Sequence, residues 1–128
     1  MSQKEIINTN NAPAPIGPYN QSVKVDKMLF VSGQIALDPV TGELNMKDLA
    51  TETHQVMKNL GAILSAAGSS FDQVVKSSIF LSDMGNFAAI NEIYGSYFTS
   101  DYPARETVEV AQLPKSVNVE ISVIALCA

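Results

Sequence analysis

Residues 117–126 have the sequence VNVEISVIAL, an alternation of branched apolar and polar side chains that predicts a β-strand. Successive side chains of a strand point to opposite faces of the sheet. One face holds Val117, Val119, Ile121 and Val123, and the other holds Asn118, Glu120 and Ser122. Glu120 is therefore expected on the face opposite the core, between two polar neighbours.

The stretch before it, YPARETVEV at 102–110, predicts the entry into another strand, with Arg105 near its beginning. Alternation puts Val108 on one face and Arg105 with Thr107 on the other, away from the helix-packed core. A guanidinium keeps its charge at neutral pH, so a buried Arg105 needs a planar anionic partner. That partner is either a carboxylate of the protein or one that arrives from solution.

Further elements are predicted along the rest of the chain. SVKV and MLFVSG form a β-hairpin whose second strand is buried on both faces, and the first 16 residues are extended. Helical spacing of apolar residues runs from Asp48 to Ala67, with Gly68 as a C-terminal stop. The run VVKSSIFL at 74–81 is a strand, FAAINEIYGSYF at 87–98 is helical, and ETVEVAQL precedes the last strand.

The order β-β-α-β-α-β-β predicts an α+β fold, a mixed sheet with two helices on one face, in a single domain spanning residues 1–128. In a monomer, the second face of such a sheet is exposed to solvent or carries partly apolar side chains. Burial of that face against other subunits is one solution.

Composition argues against several function classes. The net charge is −5 and the lysines are scattered, which argues against nucleic acid as a partner. Cys127 is the only cysteine, which excludes an internal disulfide and favours the cytoplasm. Because no apolar run is long enough to span a bilayer, we expect no membrane insertion.

Metal and cofactor sites also lack a motif. His54 is the only histidine and is predicted to be a solvated residue on the polar side of its helix. Cys127 has no basic neighbour in sequence and is predicted to be a structural thiol. The glycines Gly33 and Gly42 lack the spacing of a phosphate-binding loop. Taken alone, Arg105 and Glu120 on adjoining strands are more typical of a salt bridge or of solvated surface residues than of a catalytic pair.

Four blocks of the chain resemble the reactive-intermediate deaminase family (RidA, also called YjgF). They are APAPIGPYNQSVKV, LFVSGQIALDPVTGEL, NFAAINEIY and YPARETVEVAQLPKSVNVEISVIAL. The resemblance runs from about residue 12 to the C-terminus. It implies a chorismate-mutase-like fold and a homotrimer whose sheets form a central barrel, with clefts between subunits.

The resemblance also implies an activity, hydrolytic deamination of enamine and imine carboxylates such as 2-aminoacrylate and 2-iminobutanoate, without metal or cofactor. By the same resemblance, Arg105 binds the substrate carboxylate and Glu120 activates water. The implied substrate-binding residues are Tyr19, Gly33, Asn91 and Thr107, and Thr107 stands where the family often has cysteine. A non-catalytic trimeric carboxylate-binding protein and a ribonuclease or translation inhibitor remain as alternatives.

Overall fold

The computed structural model describes residues 3–127, within which six strands form one sheet. The strands are β1 (Lys4–Ile7), β2 (Ser22–Val25), β3 (Met28–Gln34), β4 (Val74–Leu81), β5 (Ala104–Glu109) and β6 (Val119–Leu126). The α-helices are α1 (Leu49–Ala66) and α2 (Phe87–Gly95), and single 3-10 turns lie at Phe71–Gln73, Met84–Asn86 and Pro114–Ser116. The α+β prediction is confirmed, and β1 precedes the predicted order as an additional strand.

The sheet has the strand order β1-β2-β3-β6-β4-β5. Its neighbours are antiparallel except for β4 and β5, which are parallel. The C-terminal strand β6 therefore lies in the middle of the sheet, between β3 and β4. Contrary to the prediction of adjoining strands for Arg105 and Glu120, β4 separates β5 from β6.

Helix α1 begins where Asp48 accepts a hydrogen bond from the Thr51 N–H at 2.7 Å, and it ends before Gly68, whose φ is +73°. Val56, Leu60, Ile63 and Leu64 are fully buried against the sheet. Burial of a side chain of this size contributes about 1.5–3 kcal/mol. The predicted bounds of this helix are thus confirmed, because the residues that cap its two ends can be recognised in the local sequence.

The face of the sheet away from the helices is called the open face. Across β6 and β4, Glu120 pairs with Phe80 on this face, while Ile121 and Ile79 are buried on the helix side. The prediction that β3 is buried on both faces is wrong for the single chain, because the Phe30 side chain on the open face is 46% exposed.

Two predictions about side-chain direction are also wrong. In the parallel register, Arg105 is the partner of Ser77 and Thr107 is the partner of Ile79, so both share the helix side of the sheet. Asn118 precedes β6, and its side chain bonds to Glu52 of α1 instead of joining the open face. Alternation tells which residues share a face, but it does not tell which face the helices cover.

Candidate active site

Glu120 extends from the open face of β6 into a cavity of about 400 Å³. The arm that follows β1, residues 8–20, forms one wall of this Glu120 cavity through Pro13, Ile16 and Tyr19. The remaining walls of the cavity are formed by the end of β3, by Ile35 and Leu37 that follow it, and by Pro114. Glu120 itself is half-buried, and no described residue donates a hydrogen bond to its carboxylate.

Gly33 lies directly against the Glu120 side chain. The pairing of β3 with β6 shifts between Val31 and Gln34, so the strand is irregular at this point. A Cβ atom on Gly33 would lie 2.9 Å from the carboxyl carbon of Glu120 and 3.1 Å from its Cγ. A Cβ atom at position 33 would displace the carboxylate from this position. Irregular pairing beside a site is a common way to re-aim a side chain.

Tyr19 also lines the Glu120 cavity and is 47% exposed. Its hydroxyl accepts a hydrogen bond from the Ile16 N–H at 3.5 Å. The arm that carries it is held by Gln21, which is 1% exposed and whose Nε2 donates to the carbonyls of Thr9 and Pro13 at 2.9 and 2.8 Å. The role of Gln21 is not predictable from sequence, because a polar residue at a strand entry gives no local sign of burial.

The environment of Glu120 changes its acidity. Burial raises the pKa of the Glu120 carboxyl above its ordinary value of 4.5, because the ionised form loses hydration in the cavity. A carboxyl group shifted in this direction holds and releases a proton closer to neutral pH than a surface glutamate does. This is the property required of a general acid or base.

Arg105 belongs to a second cluster, at the edge strand β5 beside α2. Its guanidinium carbon lies 5.4 Å from the ring centroids of both Phe87 and Tyr94. Its Nη1 donates to Asn91 Oδ1 at 2.5 Å. Two aromatic rings and one amide therefore fix the direction of a charged side chain that remains exposed to solvent.

No carboxylate among residues 3–127 forms an ion pair with Arg105, whereas Lys76 pairs with Glu106 at 3.1 Å. The surface salt bridge considered for Arg105 and Glu120 is therefore absent from the described structure. A cavity of about 430 Å³ adjoins the guanidinium and is called the Arg105 cavity. It is lined by Asn91, Tyr94, Gly95, Tyr102, Pro103 and Arg105.

Tyr94 supports the Arg105 cluster from the buried side. Its hydroxyl donates to Ser77 Oγ at 2.8 Å, and the ring is 3% exposed. Burial raises the pKa of the Tyr94 hydroxyl, although the bond with Ser77 and the charge of Arg105 oppose the rise. The contact of Tyr94 with Arg105 depends on the pairing of β4 with β5, which the local sequence of α2 does not predict.

Thr107 follows Arg105 by two residues and lies on the same side of β5. Its Oγ1 is buried without a hydrogen-bond partner among the described residues. A buried hydroxyl without a partner is unfavourable. Thr107 is not among the residues that line the Arg105 cavity, so the structure does not bring it to that site.

The structure thus brings Tyr19, Gly33 and Glu120 together in one cavity, and it brings Asn91 to Arg105 in another. It does not join the two clusters within one chain. They lie on opposite faces of the sheet and on strands separated by β4, a lateral distance of roughly 10 Å.

The other residues considered from sequence have structural environments. His54 is half-buried, and its Nδ1 lies 2.7 Å from the Tyr97 hydroxyl, so it is less solvated than predicted. Cys127 is buried in the core, as expected of a structural thiol. In the part of the chain described, no group of three or more histidine, cysteine or acidic residues is arranged to hold a metal, and neither helix is long and apolar enough to cross a membrane.

A family model described as endoribonuclease L-PSP matches residues 9–127. The chain belongs to the endoribonuclease L-PSP family. A RutC family protein of Pyrococcus horikoshii is 51% identical, covering 95% of this chain and 97% of the relative. The 2-iminobutanoate/2-iminopropanoate deaminase of Mus musculus is 47% identical, covering 96% and 91%.

Solved structures agree with this membership in the L-PSP family. A Yersinia pestis protein of the conserved Rid family has a TM-score of 0.94 and 46% identity, with 97% of this chain and 99% of that chain covered. E. coli TdcF with bound serine has a TM-score of 0.92 and 42% identity, with 97% and 99% covered. The resemblance to the reactive-intermediate deaminases is therefore confirmed at the level of the family.

Proposed function

We propose that the protein is a hydrolase that deaminates enamine and imine carboxylates, such as 2-aminoacrylate and 2-iminobutanoate, to 2-keto acids and ammonia. The observation that carries the proposal is the 47% identity with the mouse deaminase over 96% of the chain. Human and rat proteins of the same name are 46% and 47% identical. The activity would remove reactive metabolites, and we place it in the cytoplasm.

Arg105 binds the substrate carboxylate. Its guanidinium is charged, exposed and without an anionic partner in the described chain, and Asn91 with two aromatic rings holds its direction. A guanidinium matches a carboxylate through two parallel N–H···O bonds. The bound serine of E. coli TdcF supports a ligand of this kind, since serine carries an α-carboxylate.

Glu120 activates water. Its carboxylate takes a proton from a water molecule as the water oxygen bonds to the imine carbon, and the C=N double bond becomes a C–N single bond. The nitrogen takes the proton held by Glu120, which completes the carbinolamine. Transfer of the hydroxyl proton to that nitrogen through Glu120 then breaks the C–N bond, releasing ammonia as the C=O bond forms. An imine carbon is already electrophilic, so this sequence requires only a placed water and one group that moves protons.

The complete site is formed between subunits of a homotrimer. The Arg105 cavity and the Glu120 cavity lie on opposite faces of one sheet, so a small substrate reaches both only if they come from different copies. Each copy is a single domain of residues 1–128. Tyr19 and Gly33 contribute to the cleft from the Glu120 side, and Asn91 from the Arg105 side.

The direct experiment generates 2-iminobutanoate from threonine with a dehydratase and follows formation of 2-ketobutyrate. We expect the protein to accelerate keto-acid release over spontaneous hydrolysis and Arg105→Ala to remove that gain. Lys58→Ala, at an exposed position of α1, is the control for loss of one positive charge. No acceleration by the unmodified protein would refute the proposal.

RNA cleavage is the second candidate, because the matching family model is described as an endoribonuclease. The net charge of −5 disfavours it, since phosphate binding draws on clustered lysine and arginine. Incubation with single-stranded RNA at low ionic strength distinguishes the two candidates. Cleavage that survives Glu120→Gln, together with absent imine hydrolysis, would favour the ribonuclease.

A further inference from the structure

Helix α1 carries three buried polar side chains on one face, at spacings of three and four residues. Glu52 is 0% exposed, Gln55 is 9% exposed and Asn59 is 1% exposed. Burial of polar groups is unfavourable unless each finds a partner. Their partners should therefore indicate what these residues do.

Asn59 holds one wall of the Glu120 cavity. Its Nδ2 donates to the carbonyl oxygens of Ile35 and Leu37 at 3.1 and 2.9 Å. Gln55 fixes the direction of this amide, because Gln55 Nε2 donates to Asn59 Oδ1 at 2.9 Å. Ile35 and Leu37 both line the cavity, so the helix sets the position of that wall through two backbone contacts.

Glu52 holds the start of the strand that carries Glu120. Its Oε2 accepts from the backbone N–H of Asn118 at 2.8 Å, and its Oε1 accepts from Asn118 Nδ2 at 2.7 Å. The Asn118 carbonyl accepts in turn from the Ser82 N–H at 3.1 Å. Asn118 is thereby fixed between α1 and the end of β4, two residues before Glu120.

We propose that Glu52 is a positioning residue for Glu120, acting through Asn118, and that Asn59 has the same role for the opposing wall at Ile35 and Leu37. The inference rests on the proposed function, in which Glu120 places and activates water. Neither Glu52 nor Asn59 lines the Glu120 cavity, so their effect on the reaction passes through the backbone that they hold.

Glu52 provides the sharper test because its two bonds have a fixed direction. Both oxygens accept hydrogen bonds from donors of Asn118. Glu52→Gln keeps the shape but replaces one acceptor by an NH₂ group, which then faces a donor. Adding Asn118→Asp reverses the second bond, because the new amide donates to the new carboxylate. The double variant therefore restores two hydrogen bonds with the charge moved to the other residue.

The kinetic experiment measures kcat and KM for imine hydrolysis in the unmodified protein, Glu52→Gln, and the double variant. We expect Glu52→Gln to lower kcat about tenfold or more with KM within about twofold, because Arg105 still binds the carboxylate. The double variant should recover most of the lost kcat. Thr53→Val is the control, since Thr53 is 0% exposed and bonds only within the helix, to the Leu49 carbonyl at 2.8 Å.

A titration that does not depend on turnover separates this inference from the proposed function. The ¹³C carboxyl resonance of Glu120, assigned with Glu120→Gln, is followed against pH in the same proteins. We expect the pKa of Glu120 to move toward its ordinary value in Glu52→Gln and to return in the double variant. A folded Glu52→Gln protein with unchanged kcat and unchanged titration would overturn the inference. Absent turnover in the unmodified protein would refute the deaminase instead, and the titration would still decide the role of Glu52.

Should Glu52→Gln alone fail to fold, judged by circular dichroism, the double variant and Asn59→Leu carry the test. Asn59→Leu removes both bonds to the wall at Ile35 and Leu37 and leaves Glu52 in place. We expect Asn59→Leu to lower kcat by a larger factor than it changes KM. We also expect it to shift the pKa of Glu120. A folded Asn59→Leu protein with parental kcat, KM and titration would refute the role of Asn59. For Glu52, the test is the double variant. If it folds but does not recover the kcat of the unmodified protein and the pKa of Glu120, the proposed role of the Glu52–Asn118 hydrogen bonds is refuted.

Discussion

At the scale of single residues, the candidate site depends on the absence of a side chain at position 33. The Glu120 carboxyl group occupies the volume that a Cβ atom on Gly33 would need. An added Cβ atom would therefore displace the carboxylate from its present position in the cavity. The close approach of the β3 backbone at Gly33 therefore helps to determine where the Glu120 side chain lies.

We expect Gly33→Ala to lower kcat at least about tenfold, because the added methyl group displaces the Glu120 carboxylate, which the proposed mechanism uses to activate water. Steady-state kinetics of imine hydrolysis measures the effect. Gly17→Ala is the matched control: a Cβ atom there meets only the Tyr19 ring, at an ordinary 3.7 Å. Equal activity of the two variants would contradict a role for the Gly33 contact.

The raised pKa of Glu120 predicts the pH dependence of the reaction. A general base is active in its ionised form, so kcat should fall as pH drops through the pKa of Glu120. Because burial raises that pKa above 4.5, the acid limb should lie at higher pH than for a surface glutamate. A pH profile of kcat measures the position of this limb.

Thermal unfolding gives a check on the same residue without substrate. A carboxyl group whose pKa is raised in the folded state stabilises the fold when protonated and loses that contribution as pH rises through the folded pKa. Glu120→Gln should therefore raise the melting temperature at pH 7 and have little effect near pH 4. A lower melting temperature at pH 7 would contradict the raised pKa.

The face on which a side chain lies could be predicted from sequence for some strands, whereas the grouping of the side chains could not. Alternation in β6 correctly separated Glu120 from Ile121, because both lie in a regular central strand. The same pattern failed for Arg105, because the face of an edge strand follows from its pairing with Ser77, 28 positions away in sequence. Glu52 gave no signal at all, since its burial depends on the distant Asn118.

At the scale of elements, the ends of α1 are determined locally. Gly68 adopts φ +73° just after the helix, and the Ser69 N–H closes the last turn on the Leu64 carbonyl at 2.8 Å. This left-handed cap is accessible to glycine without strain. Strand β1 shows the opposite case: KEII at Lys4–Ile7 has no strong pattern and becomes a strand by pairing with β2.

Gly68→Ala should destabilise the fold by about 1 kcal/mol, because an L-residue with a side chain is disfavoured at positive φ. Urea unfolding at a fixed protein concentration measures the shift. Gly95→Ala at the end of α2 is the matched control, since its φ is not in the left-handed region and no atom lies within 4 Å of the added Cβ. A loss of stability in Gly95→Ala as large as in Gly68→Ala would contradict the argument from the cap.

At the scale of the whole molecule, the open face of the sheet needs explanation. Four of its apolar side chains remain 41–46% exposed in the single chain: Ile6, Phe30, Val108 and Leu126. Exposed apolar groups gathered on one face are typical of a surface that other subunits cover. This agrees with the proposed homotrimer, whose assembly would also bring an Arg105 cavity to a Glu120 cavity.

Mixed trimers test that arrangement directly. Arg105→Ala and Glu120→Gln should each be inactive as pure trimers. We assume that every site takes Arg105 from one subunit and Glu120 from the next. An equal mixture of the two variants is then reassembled from denaturant. A site is intact wherever a Glu120→Gln subunit, which keeps Arg105, precedes an Arg105→Ala subunit, which keeps Glu120. In a closed ring with random placement, this holds for roughly a quarter of the interfaces.

The mixture should therefore recover roughly a quarter of the activity of unmodified trimers treated in the same way. The two pure variants, denatured and reassembled separately and then combined without exchange, are the control and should stay inactive. Recovery requires the two residues to act from different chains, because no chain in the mixture carries both. A mixture that forms mixed trimers, shown by mass spectrometry, and yet remains inactive would place Arg105 and Glu120 of one site on the same chain. The opposite sheet faces of the two residues would then require a rearrangement of β5 in the assembled protein.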